Sequence, residues 1–205
     1  TAVGVERREA RPARRPAAAP GGGVTFDRVR RRLERAPQEV EPSPLLRWAA
    51  VAAVLVPGPD ELLLVRRAER PGDPWSGQMA LPGGRRDEGE DLLFTAIREP
   101  AEEVGIHRPP EALRGVLDDV APRTPVLPPI AVRPFVFRLA ERPRLRPNAE
   151  IADSAWGPLA MLLAPEIRAL VEVDSRAGRL LVPAYRLEAG TVWGMTERIV
   201  SDLLG

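Results

Sequence analysis

The sequence predicts an α/β (α+β) fold, with helices and strands interleaved in one domain behind an unstructured tail. Three observations predict it. Apolar runs of strand character alternate with amphipathic helical stretches. A glycine pair closes one short strand just before the most strongly patterned helix. Residues 1–23 are rich in Arg, Ala, Pro and Gly and hold little apolar surface to bury.

The elements follow in order. The domain is expected over residues 24–205 and the tail over 1–23. The tail's arginines (Arg7, Arg8, Arg11, Arg14, Arg15) are read as solvated, with contact to a polyanion as the alternative. Phe26, Val29 and Leu33 recur at helical spacing behind Thr25, a residue suited to an N-cap, so residues 25–35 predict a helix that Pro37 ends. Residues 48–56 are continuously apolar and Val/Ala-rich, as in a strand buried on both faces. The turn Gly58-Pro59-Asp60 leads to a second strand over 61–66. Residues 66–77 read as a loop, 78–81 as a short strand, and 91–104 as an amphipathic helix. Strands are expected over 113–120 and 130–139, joined by the proline-rich stretch 121–129. A helix is expected over 159–170, a strand over 180–187, and a closing helix over 192–204.

Composition removes whole classes of chemistry. The chain has no cysteine, which excludes disulfides, thiol nucleophiles and thiolate-bound zinc. It has one histidine, His107, so no multi-histidine metal centre exists; His107 itself reads as a surface residue. Every basic residue is arginine, which excludes lysine Schiff bases and P-loop lysines. The net charge of +1 argues against a specific nucleic-acid binder. No apolar run approaches the roughly 20 residues of a membrane helix, and the sequence shows no secretory signal pattern, so a cytoplasmic protein is expected. Carboxylates, hydroxyls, arginines and backbone groups remain, and carboxylates favour hard cations such as Mg²⁺ or Mn²⁺.

Glu99, Glu102 and Glu103 stand at i, i+3 and i+4, on one face of the expected helix. Like charges at this spacing repel by a few tenths of a kcal/mol per pair. Taken alone, a solvated acidic face is the plainer explanation; a divalent cation among them is the alternative. Gly83 and Gly84 precede the helix and permit close backbone approach to a phosphate or metal. Glu88, Glu90 and Asp91 place acid at the helix start, where the dipole favours it.

This stretch resembles the Nudix box, G-x5-E-x7-R-E-U-x-E-E-x-G-U. Gly84, Glu90, Arg98-Glu99, Glu102-Glu103, Gly105 and Ile106 meet its positions in order. Pro100 stands where the pattern has a bulky aliphatic residue. A proline there clashes with the carbonyl of Ala96 and costs about 3 kcal/mol in a helix interior, so a kink is expected between Glu99 and the Glu102–Glu103 pair. The resemblance to Nudix hydrolases implies an α/β/α sandwich around a mixed sheet, the box forming a loop–helix–loop. It implies that Glu99, Glu102 and Glu103, with the Gly83 carbonyl, bind Mg²⁺ or Mn²⁺. Arg98 would orient the glutamates, and Gly84 and Glu90 would support the loop. Glu103 or Glu150 would be the general base, Glu150 because it lies a few residues before Trp156-Gly157-Pro158-Leu159. The substrate would be a small nucleotide-like molecule whose diphosphate is cut. A homodimer is common among such proteins.

Beyond the box, the chain is similar to coenzyme A pyrophosphatases over roughly residues 26–204. Arg67, Ala68 and Gly77 match the subgroup's signature, and Leu81 stands where that signature has Phe. This similarity implies that Arg66, Arg67 or Arg70 meets the substrate's phosphates. A surface role flanking a strand is the plainer alternative. ADP-ribose or another NDP-sugar is the runner-up substrate, on the position of Pro122. A weakly active nucleotide-binding module and an RNA-processing enzyme using the tail are further alternatives. Trp156 and Trp193 are expected in the core. Trp75 is expected either to pack or to stack on a base.

Overall fold

The computed structural model describes residues 22–205 apart from 42, 44, 74, 108–109, 124–127 and 176–177. The expected tail therefore lies almost wholly outside the described residues. Helix α1 (Gly22–Leu33) begins three residues earlier than Thr25. The backbone N–H of Phe26 donates to the Asp60 carboxylate at 3.1 Å, a contact between segments 34 residues apart that local pattern could not reveal.

Strand β1 (Arg47–Val56) is the spine of a seven-stranded mixed sheet. Its apolar run is buried on both faces because alternate residues serve two cores. Ala49, Ala53 and Leu55 face a layer that includes Val29, Ile199, Val200 and Leu203. Ala50, Ala52 and Val54 face Ala96, Val104 and Ile106. Helices α1 and α4 (Gly194–Leu204) thus cover one face and α2 (Leu92–Val104) the other, the α/β/α layering the sequence predicts.

One edge of β1 runs parallel to β6 (Ile130–Arg138) over Arg47–Leu55. Along the other edge the sheet forks. β2 (Glu61–Arg67) pairs with β1 at Leu55–Val56, whereas β4 (Gly83–Arg85) pairs at Ala49–Val51. β2 diverges to pair with β3 (Met79–Ala80) and β7 (Ile151–Pro158). Leu81 and Pro82 cross the mouth of the fork, with Ala52 N–H donating to the Pro82 carbonyl at 2.8 Å. β5 (Leu113–Val116) completes the sheet, and Val120 adds a single bridge to Val132. The strand expected over 113–120 is thus shorter than its apolar pattern. Gly83–Arg85 adds a strand where only a turn was expected, and β7 was not foreseen.

The C-terminal third departs furthest from expectation. The helix over 159–170 shrinks to α3 (Leu159–Leu162) and a 3₁₀ turn at Pro165–Ile167. Pro165 cannot donate to a helix ladder, and the chain from Arg168 finds partners in another strand. β8 (Arg168–Ser175), β9 (Gly178–Leu187) and β10 (Gly190–Trp193) form a separate antiparallel sheet. β9 matches the expected strand. The closing helix starts at Gly194, not 192, because Val192 and Trp193 belong to β10; Gly194 makes the junction at φ 69°. Among the described residues no helix is long and apolar enough to cross a membrane.

Candidate active site

Helix α2 has a defined start and stop. Asp91 caps it, its carboxylate accepting from Leu93 N–H at 2.7 Å. Gly105, at φ 72°, ends it in the left-handed conformation that glycine tolerates. Gly105 and Ile106 return their N–H groups to the carbonyls of Ala101 and Pro100. The helix runs unbroken from Leu92 to Val104 with Pro100 buried inside it.

The three glutamates separate. Glu103 is 3% exposed and accepts the Gly83 N–H at 2.9 Å. Glu99 lies against Gly84, where an added Cβ would stand 2.3 Å from its Oε1. Glu102 is 56% exposed and turned toward Arg98 at 3.0 Å. As placed, no group of three His, Asp or Glu side chains among the described residues converges tightly enough to form a finished cation cage. The expected trio is therefore brought together only in part: Glu99 and Glu103 point inward, while Glu102 follows its i,i+4 arginine outward.

Arg98 binds three carboxylates through four short contacts. Its Nε and Nη2 fork onto the Glu90 carboxylate at 2.7 and 3.1 Å. Its Nη1 reaches Glu99 at 2.9 Å and Glu102 at 3.0 Å. Glu90 also accepts from Thr95 Oγ1 (2.6 Å) and Asp87 N–H (3.1 Å). The Arg98 bonds, with help from Thr95 and Asp87, hold the Glu90 carboxyl down at about 2. The loop and the helix are thus tied through one guanidinium, which is raised above its usual range chiefly by Glu90.

Electrostatics mark the inward pair. Burial raises Glu99, against the pull of Arg98, and the charges of Glu102 and Glu150 raise it further. Burial raises Glu103 to about 8, with Glu99 and Glu150 adding to the rise and the Gly83 bond and Arg67 opposing it. Glu150 therefore belongs to the same electrostatic group. The segment before it is clipped to the end of α2. Arg146 N–H donates to the Val104 carbonyl and Asn148 N–H to the Glu103 carbonyl, each at 2.8 Å. The Asn148 side chain then accepts the Glu150 N–H at 2.8 Å, forming an Asx turn. Ala68 N–H holds the Glu150 carbonyl at 2.7 Å. Sequence alone assigned Asn148 no role; an Asn two residues before a candidate glutamate was the available signal.

The three arginines of the loop region are each paired. Arg66, exposed, reaches Asp153 at 3.3 Å, Arg67 reaches Asp73 at 2.7 Å, and Arg70 reaches Glu150 at 3.2 Å. Arg70 contacts Glu150, the charge of Arg67 acts on Glu103, and Arg67 keeps a buried Nε without a hydrogen-bond partner. Arg66 points to the opposite side of β2. Trp75 is half-buried against the core of the α1/α4 face, so of the two expected roles packing is the one seen. Trp156 is half-buried on the other core, with Arg142 over its ring at 5.3 Å; Trp193 is half-buried and lies in neither cluster.

A hard divalent cation suits this donor set. Glu99 and Glu103 are oxygen donors held where burial penalises their charge, and the charge of Glu150 acts on both. The glycine cradle at Gly84 leaves room for the Glu99 carboxylate to lie against backbone. Such a cation would offset a repulsion that the arginines only partly cancel.

Comparison with known proteins supports the family directly. The NUDIX domain model matches residues 46–175. An uncharacterised fission-yeast protein, C14C4.10c of Schizosaccharomyces pombe, is 39% identical over 131 residues, 60% of this chain. The chain spans 40% of that relative's length. The human protein named mitochondrial coenzyme A diphosphatase NUDT8 is 34% identical over 167 residues, covering 76% of this chain and 68% of the relative. The crystal structure of a MutT/nudix family protein from Enterococcus faecalis superposes with a TM-score of 0.54 at 15% identity, over 81% of this chain and 63% of that one, a likeness of fold. With well over half of its residues inside the matched model, the chain belongs to the NUDIX domain family.

Proposed function

We propose that residues 24–205 form a divalent-metal-dependent pyrophosphohydrolase that cuts the diphosphate of a nucleoside diphosphate joined to a second moiety, with coenzyme A or its thioesters as substrate. The observation that carries this reading is the inward pair Glu103 and Glu99, set against Gly83 and Gly84, with the charge of Glu150 acting on both. The name of the human relative supports the substrate.

In this reading Glu99 and Glu103 hold Mg²⁺ or Mn²⁺, with Glu102 turning inward to join them and the Gly83 carbonyl as a further donor. The bound cation polarises phosphoryl oxygens and lowers the pKa of the attacking water. Arg98 fixes the direction of Glu99 and Glu102, and Glu90 fixes Arg98. Gly84 supplies the space in which Glu99 sits. Glu150 accepts the water's proton; Glu103 is the alternative base, and burial already makes it a stronger base than a solvated glutamate. Arg67 turns its unpartnered Nε to the diphosphate, and Arg70 exchanges Glu150 for a substrate phosphate. Arg66, on the far side of the strand, has no part in this scheme.

A hydrolysis panel tests the proposal: coenzyme A, ADP-ribose, NADH, a diadenosine polyphosphate and GDP-mannose, each with Mg²⁺ and Mn²⁺. Cleavage of coenzyme A to a 3′,5′-nucleotide and 4′-phosphopantetheine, absent in Glu103→Gln, is the expected result. Preference for ADP-ribose or GDP-mannose would replace the coenzyme A reading with the NDP-sugar one. Binding without turnover on any substrate would overturn the enzymatic reading.

A further inference from the structure

Arg32, Arg98 and Arg133 each fork onto one carboxylate with Nε and Nη2, to Asp202, Glu90 and Asp119 respectively. Arg67 does not. Its Nη2 donates to Asp73 Oδ2 at 2.7 Å, and its buried Nε has no hydrogen-bond partner. The reason lies on the Asp73 side. The other carboxylate oxygen, Oδ1, already accepts the Trp75 N–H at 3.0 Å, so one oxygen is left for Arg67. A buried donor without an acceptor costs free energy until something accepts from it. Arg32 and Arg138 each keep an unpartnered Nη1 as well, but where α1 meets α4 and at the Asp60 turn.

Asp73 is itself fixed from several directions. Its N–H donates to the Arg70 carbonyl at 3.3 Å, and its carbonyl accepts the Ser76 N–H at 3.2 Å. Ser76 Oγ in turn accepts the Arg70 N–H at 2.8 Å. Burial works against ionisation of Asp73, but the bonds from Arg67 and Trp75 and the charges of Arg67 and Arg70 outweigh it and hold the carboxyl below its usual range. The carboxylate thus meets Arg67 as an anion in one orientation, 18% exposed against 28% for the arginine side chain. Strand β2 brings that arginine to the glutamates. Arg67 stands opposite Ile151 of β7, next to Glu150, whose carbonyl accepts the Ala68 N–H at 2.7 Å.

We propose that Asp73 is the positioning residue for Arg67: it anchors the guanidinium through Nη2 and withholds a second acceptor, so that Nε stays unspent for a phosphoryl oxygen of the substrate. This rests on the reading of the glutamate site as one that takes a diphosphate. Asp73 itself touches no substrate and acts only through Arg67. An arginine already held in place loses less rotamer freedom when a ligand binds than a solvated one.

The test uses the full chain. In Asp73→Asn the side-chain oxygen still accepts the Trp75 N–H, but the amide presents a donor to Arg67 and the anchor is lost. The first readout is the Arg67 Nε–H resonance in protein labelled at its arginine nitrogens, assigned by its loss in Arg67→Gln. In the wild type it is expected to be protected from solvent exchange and to shift when ADP and Mg²⁺ are added. In Asp73→Asn both the protection and the shift are expected to be lost. The second readout is kinetic, on whichever diphosphate of the panel the wild type cleaves. Asp73→Asn and Arg67→Gln are each expected to raise KM about tenfold with kcat nearly unchanged, the loss of one charge-assisted bond to the substrate. The double variant is expected to match Arg67→Gln, because the two residues act as one unit. The resonance needs no turnover: if the panel shows none, the reaction falls, while a shift that Asp73→Asn abolishes still upholds the positioning role. An Nε–H that ADP and Mg²⁺ leave unmoved in the wild type, or that stays protected and responsive in Asp73→Asn, overturns the proposal. So does a double variant whose KM effects multiply, which assigns Asp73 to loop support alone.

Discussion

Glu103 of α2 and Gly83 of β4 are joined by a hydrogen bond of 2.9 Å across twenty residues of chain. This contact ties the helix to the fork of the sheet and keeps a carboxylate in a place that water barely reaches.

The burial of Glu103 has a consequence for stability. Its carboxyl is raised to about 8 in the folded protein, against about 4.3 when unfolded. A raised carboxyl stabilises the fold fully below the unfolded value, and the contribution is lost as pH rises through the folded one. In chelator, unfolding free energy should therefore fall between about pH 4.5 and 8, at up to about 1.4 kcal/mol per pH unit from this group. Glu103→Gln should flatten that slope in urea titrations and lower turnover by roughly 10² to 10⁴. Equal slopes in the two proteins would show that Glu103 stays ionised.

Gly84 and Gly83 should fail in different ways when given a methyl group. At Gly84 the three atoms nearest an added Cβ all belong to the Glu99 carboxylate, at 2.3 to 2.5 Å. Gly84→Ala should keep its melting temperature and lose about 100-fold in rate, the cost of moving a catalytic group by about 1 Å. At Gly83, φ is 155° and the Cβ strikes the Ala50 carbonyl oxygen at 2.4 Å and the Val51 Cα at 2.6 Å. Gly83→Ala should destabilise the β1–β4 pairing outright, read as a fall in melting temperature.

Arg98→Lys should separate charge from geometry. Lysine keeps the charge but cannot fork onto Glu90 while reaching Glu99 and Glu102. We expect a loss of roughly 1.5 to 3 kcal/mol in stability, with reduced Mn²⁺ affinity by electron paramagnetic resonance. Unchanged affinity would remove Arg98 from the metal-orienting role.

Asn148 is expected to position Glu150. Asn148→Ala removes the acceptor for the Glu150 N–H and should lower kcat by about tenfold while sparing KM, one neutral hydrogen bond being worth about 1 kcal/mol. Asn148→Asp retains an acceptor oxygen and should restore most of the rate. A fall in kcat with a rise in KM, without rescue, would indicate a structural role only.

Pro100→Ala tests the departure from the box. The helix passes through Pro100 unbroken, so the variant should change turnover by less than about tenfold; a gain near 100-fold would show that the proline misplaces Glu102 and Glu103.

The order of residues by itself determined much of this protein. Gly84, Glu90, Arg98, Glu99, Glu102 and Glu103 were legible because their spacing is fixed along one short stretch, where turn and helix geometry dictate proximity. The buried strand over 48–56 was legible because both of its faces are apolar. The sheet of β8 to β10 was not. Leu159, Leu162 and Leu170 fit helical spacing, and only pairing with β9 decides that Arg168–Ser175 extends instead. The outward turn of Glu102, the pairing of Arg66 and Arg70 and the clip through Asn148 also belong to the tertiary structure. Each depends on which distant carboxylate or carbonyl comes within hydrogen-bond reach. Local periodicity fixes what a residue can face; the fold of the sheet fixes what is there to be faced.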